Sequence, residues 1–563
     1  MSPARVHRHH LALTAEVEHW LRLIARILSV LVVAGFAVAL YRYGAPGGDD
    51  YVAWEETASI ITLAFASAGL TIAWFWEAPG GALAMVAGTF VGALAAYRYN
   101  LTIALGVALL FMVPAALYLI AWQRTRSRHA VATVAIASIV LLVVGGGVAY
   151  AFYDEGQGPS HPESTREPLP PSPVTWVWSG GVGTTSATVV ARVDGAGEVL
   201  LAYGADLEQP SRAPSTLRGP VYRFELTGLT PGTEYRYAVE VDGEPEMERS
   251  GTFATWPDGP FNFTVAFAGC ARVGSNGSVF DAITAAGPDL FIITGDFFYG
   301  DVFDNSLDTF ASLFDGSLIQ PAQAALYTSV PIAYTWDDHD YGPNDAGGDS
   351  PSRDAALASY RRFVPHYPFP LPGDDAPIAQ AFTVGRVRFI LTDTRSARDP
   401  ARGTVLGAEQ LDWFLGELLQ ASRHHAAVVW VNSIPWIGEP QPGADDWSGF
   451  PAERETIASF IAQNGISNLM MLAGDAHMVA IDDGSNNGYG GFPVVHAGAL
   501  DRPGSLKGGP YSEGAFPGGG QFGLLTVDDH GGDSVQITVA GYDWEGTELT
   551  SLHLGFPAEG GAP

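Results

Sequence analysis

Six apolar, strand-like runs in the second half of this chain each stop abruptly at polar residues. FNFTVAFAGC ends at Cys270 and PDLFIITGD at Asp296. VPIAYTWDD runs into WDDHD (336–340), and VRFILTDTR ends at Asp393, Thr394 and Arg395. AAVVWVNS runs into NSIPW (432–436), and NLMMLAGD into GDAH, with Asp475 and His477. Helical stretches such as 407–421 and 452–462 lie between several of them. Strands alternating with helices predict an α/β sandwich. In open α/β sheets, sites form outside the carboxyl ends of the strands. Six strands carrying polar residues to that edge therefore constrain the fold and the place of the site together.

The residue types point to metal chemistry. In FIITGDFFYGD (291–301), Tyr299 follows Asp296 by three residues, so one loop can present both to one ion. Carboxylate, imidazole, phenolate and thiolate share a site only when deprotonated, and a cation permits that. Cys270 is the sole cysteine, which excludes an internal disulfide. Alone it reads as a small buried hydrophobe; its neighbours make it a candidate ligand. One Asp placed between two ions can bridge them. Such a pair, about 3.5–4 Å apart, binds a phosphate ester, generates hydroxide and stabilises the leaving oxygen. Arg395 suits a phosphate oxygen by its forked geometry.

The set GC, GDFFY, WDDHD, LTDTR, SIPW and GDAH resembles the PhoD-type alkaline phosphatases, calcineurin-like metallophosphoesterases related to the purple acid phosphatases. The resemblance covers about residues 174–545. It implies an Fe(III) ion with calcium or another divalent partner. It further implies that Cys270, Asp296, Tyr299 and His477 hold the iron, that Asp296 bridges, and that Asp475 holds the second ion with Asp338 or Asn344. In more distant relatives the Asn of an Asn-His-Glu set falls at Asp338, which makes His339 the general acid. Arg395 and Asp338 complete the implied catalytic set. NSIPW lacks a histidine that those relatives use, leaving Asn432 or a water for that place. The implied activity is hydrolysis of phosphate esters by metal-bound hydroxide. The rival is a surface binding protein keeping an inactive phosphatase fold, and such a fold is expected to lose Asp296, Asp475 or His477. All three are present.

The first part of the chain reads differently. Residues 24–42, 58–76, 81–97, 101–122 and 131–152 are apolar. Each is near the length of about 20 residues that crosses a bilayer, which predicts a five-helix transmembrane region over 1–153. Arg5, Arg8, Arg22 and Arg26, with Arg124, Arg126 and Arg128, place the N-terminus in the cytoplasm. An odd number of spans then places everything after Phe152 outside, in a multi-pass plasma-membrane protein. No charged group lies deep within these spans, which favours an anchor over a transporter.

Residues 154–173 hold a Pro-rich segment that predicts a stiff, extended linker. Residues 174–256 alternate like short strands and predict a fibronectin- or Ig-like β-sandwich. Its run from Leu229 to Tyr235 resembles the corner in which a Tyr hydroxyl ties back to backbone. The metallophosphoesterase domain (αββα) is expected over 257–555, with a tail at 556–563. The net charge of −31 argues against nucleic acid as a partner.

Overall fold

The computed structural model describes residues 17–34, 54–98, 101–123, 161–195, 197–217 and 219–558. The chain divides into two compact units, Met1–Gly158 and Pro159–Pro563.

In the first unit, the described helices are 17–34, Trp54–Ile72, Glu77–Arg98 and Leu101–Gln123. Small residues, among them Ala66, Ala84, Ala87 and Ala115, are buried with Leu70, Val91 and Phe111 where the helices pack. Five membrane-crossing helices were expected here, and that expectation is overturned. Among the described residues, no helix is long and apolar enough to cross a membrane. The helix 17–34 carries Glu18, Arg22 and Arg26, and Arg22 pairs with Glu77 at 2.5 Å. The stretch 24–42 is described only to residue 34, and 131–152 lies outside the described residues. The expected plasma-membrane topology, with an outward-facing catalytic domain, falls with the spans it was built on.

The second unit holds two large sheets and a smaller one. The first runs in the order Glu548–Pro557, Ser534–Asp543, Gln521–Asp528, Phe263–Ala268, Leu290–Ile293, Ile332–Tyr334, Val174–Gly180, Ser186–Val193, Val221–Thr227. The second runs Gln380–Val384, Val387–Leu391, Ala427–Asn432, Leu469–Ala473, Val494–Ala497, Met478–Asp482, Ala515–Pro517. The motif-bearing strands are parallel within each sheet.

Strand period two explains the layering. Val265 and Phe267 join one core with Val429, Val431, Met470 and Leu472 of the other sheet. Ala266, Phe291 and Ile293 face the opposite way, against Phe280, Phe310 and Phe314 of the helices Ser278–Ala286 and Leu307–Leu318. Trp430 and Met471 likewise face Phe414, Ile457 and Ile461 of Gly407–His424 and Pro451–Gln463. The result is helix, sheet, sheet, helix.

The strands between 174 and 256 are divided. Three extend the first large sheet, joined where Gly180 pairs in parallel with Ile332. The others form the small sheet around Glu234–Val241. Val189 and Phe224 of one share a core with Leu201, Val239 and Phe253 of the other. The Tyr235 hydroxyl accepts from the Thr230 N–H at 2.9 Å, as the corner resemblance implies. The Pro-rich segment is not a free spacer beyond residue 160. His161 is buried and stacks on Trp544, the Ser164 N–H donates to the Asn276 carbonyl at 2.7 Å, and Arg166 pairs with Asp281.

Candidate metal centre

All six polar strand ends come to one place because both sheets point their carboxyl ends the same way. Close approach there depends on glycine. A Cβ on Gly474 would stand 2.3 Å from the Thr294 carbonyl oxygen, bringing the two sheets' strand ends together. Gly295, at φ +116°, would put a Cβ 2.7 Å from that of Asp337. Non-glycine residues bear strain as well. Cys270, Asp296, Asp475 and His477 have φ of +59°, +53°, +60° and +48°. Left-handed backbone costs such residues about 1–3 kcal/mol each and clusters at functional sites.

Ligand atoms of Cys270, Asp296 and His477 lie within 4.8 Å of one another, as do those of Asp296, Asp337 and Asp475. Asp296 is common to both groups. Cys270 Sγ is 3.5 Å from Asp296 Oδ2, and the Tyr299 hydroxyl is 2.7 Å from His477 Nε2. His477 Nδ1 is 3.0 Å from the Pro503 carbonyl, which fixes its ring. A further group joins Asp338, Asp345 and Asp445.

His339 lies in the first turn of the short helix Asp338–Tyr341. Its N–H donates to Asp296 at 3.3 Å, its Nδ1 is 2.8 Å from Asp301 Oδ1, and its ring stacks on Tyr299 at 3.8 Å. Asp340 holds the turn by accepting from the Asp337 and Phe297 N–H groups at 2.7 and 2.9 Å.

The electrostatics is that of acids crowded in a dry place. Burial raises Asp296 to about 7 and pushes Asp337 well above the carboxylate range. Burial, followed by the charge of Asp296, also raises the Cys270 thiol and the Tyr299 phenol. Burial would likewise raise Asp338, but Arg395 and His339 outweigh it and hold the carboxyl low. Burial pushes His339 down, but Asp338, Asp296 and Asp301 outweigh it and raise it to about 10. His477 falls to about 3 through burial and the charge of Lys507. Asp337 Oδ2 and Asp338 Oδ1 are buried without a hydrogen-bond partner. Unsatisfied carboxylate oxygens, a neutral imidazole and crowded acids are what a cation would resolve, so the residues present fit a metal centre.

Of the sequence-predicted residues, Cys270, Asp296, Tyr299, Asp338, His339, Asp475 and His477 come together. Asn344 is half-buried on the following loop, and among the described residues no hydrogen bond joins it to these groups. Arg395 is fully buried, with its charge paired to acids. Its Nε bonds Asp337 at 2.5 Å, its Nη2 lies 2.7 Å from Asp445, and Nη2 is 3.7 Å from Asp338. Sequence reasoning missed Asp337, Asp301, Asp445 and the loop 500–511. That loop brings Arg502 over the Tyr299 ring at 4.2 Å and Lys507 Nζ to both Asp475 oxygens at 2.7 and 2.8 Å. One signal was available: Lys507 is the only lysine in the chain.

Comparison with known proteins agrees with this geometry. A family model described as PhoD-like phosphatase matches residues 265–490, which carry every motif above. The chain contains a PhoD-like phosphatase domain. Alkaline phosphatase D of Bacillus subtilis is 25% identical over 335 residues, covering 49% of this chain and 56% of that one. Purple acid phosphatase 13 of Arabidopsis thaliana is 23% identical over 248 residues, covering 39% and 43%. The chain thus spans about half the length of these relatives. A solved structure of PhoD shares the fold at a TM-score of 0.55 and 19% identity, covering 70% of this chain and 94% of that one. Residues 14–132, outside the phosphatase domain, match a domain of unknown function, DUF7670.

Proposed function

We propose that this chain hydrolyses phosphate esters at a two-cation centre, as the alkaline and purple acid phosphatases it resembles are named for doing. The observation that carries the reading is that Asp296 belongs to three donor groups at once, one with Cys270 and His477, one with Asp337 and Asp475, and one with Asp338 and His339. Cys270, Asp296, Tyr299 and His477 would hold the first ion, and thiolate with phenolate suits trivalent iron. Asp296 and Asp475, with Asp338 or Asn344, would hold a divalent second ion such as calcium. Two such ions would acidify a water and neutralise charge on the phosphoryl group.

The chain's own residues do the rest. Asp301 orients the His339 ring through Nδ1, and its carboxylate favours the protonated form of that ring. His339 can therefore deliver a proton to the leaving oxygen. Asp340 and Arg395 hold the WDDHD turn so that Asp337, Asp338 and His339 face the centre.

The test is release of phosphate from a monoester and of alcohol from a diester, compared with Asp296→Asn and His339→Asn. Hydrolysis lost with Asp296→Asn, and slowed about 100- to 10,000-fold with His339→Asn, supports the reading. A wild-type chain inactive on both substrates after metal loading would replace it with the binding-protein alternative.

A further inference from the structure

A side-chain cation that meets the phosphoryl group beside the ions must reach the solvent side of the centre, and Arg395 does not: it is fully buried and paired with Asp337 and Asp445. The loop 500–511 supplies what is missing. It is fastened along the centre by a series of bonds. The Leu500 and Asp501 N–H groups donate to the Gly269 and Cys270 carbonyls at 2.8 and 3.1 Å. The Ser505 N–H donates to the His477 carbonyl at 3.1 Å, and the Gly509 N–H to that of Ile437 at 3.2 Å. The Tyr511 hydroxyl donates to the Lys507 carbonyl at 2.9 Å. A loop tied at this many points presents its side chains in fixed positions.

Lys507 reaches from this loop to Asp475, with 41% of its side chain still exposed. Asp338 and Asp445 also face it. Its ammonium has three donors, and the two bonds to Asp475 leave one. A chain with 28 arginines and one lysine places that lysine at the mouth of the centre. A compact point charge on a flexible stem can hold a carboxylate and a phosphoryl oxygen together.

We infer that Lys507 is the substrate-binding cation of the site, holding a phosphoryl oxygen of the ester while it is anchored to Asp475. This rests on the phosphate-ester reading above, and the test separates the two. Binding of inorganic phosphate to the metal-loaded full chain is measured by calorimetry for wild type, Lys507→Met and Lys507→Arg, alongside metal content and the KM and kcat for a phosphomonoester.

A charge-assisted hydrogen bond predicts phosphate binding weakened roughly ten- to a hundredfold in Lys507→Met, with metal content retained. KM should rise more than kcat falls, and Lys507→Arg should keep most of the affinity. Unchanged phosphate affinity in Lys507→Met overturns the inference, and hydrolysis by the wild type would leave the phosphatase reading standing. Conversely, phosphate binding that depends on Lys507 in a chain without hydrolysis keeps the inference as an anion site and ends the phosphatase reading. Should Lys507→Met fail to fold, acylation of wild type decides. With no other lysine in the chain, peptide mass spectrometry reads Lys507 alone, and bound phosphate should slow its modification. An equal rate with and without phosphate refutes the inference.

Discussion

Arg395→Met separates two roles for the arginine at the end of the fourth strand-like run. In the structure its guanidinium lies against Asp337 at 2.5 Å and Asp445 at 2.7 Å, and both Arg395 and Asp337 have fully buried side chains. Removing the guanidinium leaves the acids it pairs with, Asp337 and Asp445, without their partner, at a cost of about 3–5 kcal/mol. Unfolding entropy of about 2.1 cal/mol/K per residue, over the roughly 400 residues of this unit, converts that into a fall in Tm of about 4–6 °C. The assay is thermal and denaturant unfolding followed by tryptophan fluorescence. The double variant with Asp337→Asn should recover about 1 kcal/mol or more relative to the sum of the single changes, because the two groups are in direct contact. A midpoint unchanged in Arg395→Met, with only KM raised, would refute the clamp and return Arg395 to the phosphate-facing role suggested by its fork.

Further perturbations test separate parts of the account. Gly474→Ala forces a methyl to within 2.3 Å of the Thr294 carbonyl, so it should destabilise by about 1–3 kcal/mol and lower bound metal in elemental analysis. His366 is pushed down to about 3 by burial and then by Arg223, so the unfolded chain takes up its proton first as pH falls. Stability should therefore rise with pH between about 3 and 6.5, by up to about 1.4 kcal/mol per pH unit from this group. His366→Gln should flatten that part of the profile in denaturant titrations. Tyr235→Phe deletes the acceptor for the Thr230 N–H and should cost about 1 kcal/mol in the same assay, leaving hydrolysis unchanged.

The catalytic half was legible because its strands are short apolar runs that stop at Gly, Asp or Cys, and strand ends can be read locally. Tyr235 was legible for the same reason: its partner Thr230 is five residues away. What escaped was non-local. The loop 500–511 has little local pattern, and its place follows from bonds to residues 269, 270, 437, 476 and 477. Within the WDDHD run, Asp337, Asp338 and Asp340 are alike by composition. Only the turn decides that Asp340 accepts backbone N–H groups while Asp337 meets Arg395. The joining of the strands Val174–Gly180, Ser186–Val193 and Val221–Thr227 to the large sheet depends on a pairing between Gly180 and Ile332, which no pattern in either strand announces. In the first unit, hydropathy was read without helix ends. Three of the four described helices carry charge near their start, as at Glu18, Glu55 and Glu77.

The central claim is that Cys270, Asp296, Tyr299 and His477 hold a metal ion that makes the centre work. The most direct measurement is the metal content and visible spectrum of the full chain purified without chelators, for wild type, Tyr299→Phe and Cys270→Ser. Iron in the wild type, with a charge-transfer band that shifts or vanishes in the variants, is the result expected of phenolate and thiolate ligands. A colourless wild-type protein, free of iron and unable to take it up, would contradict the account.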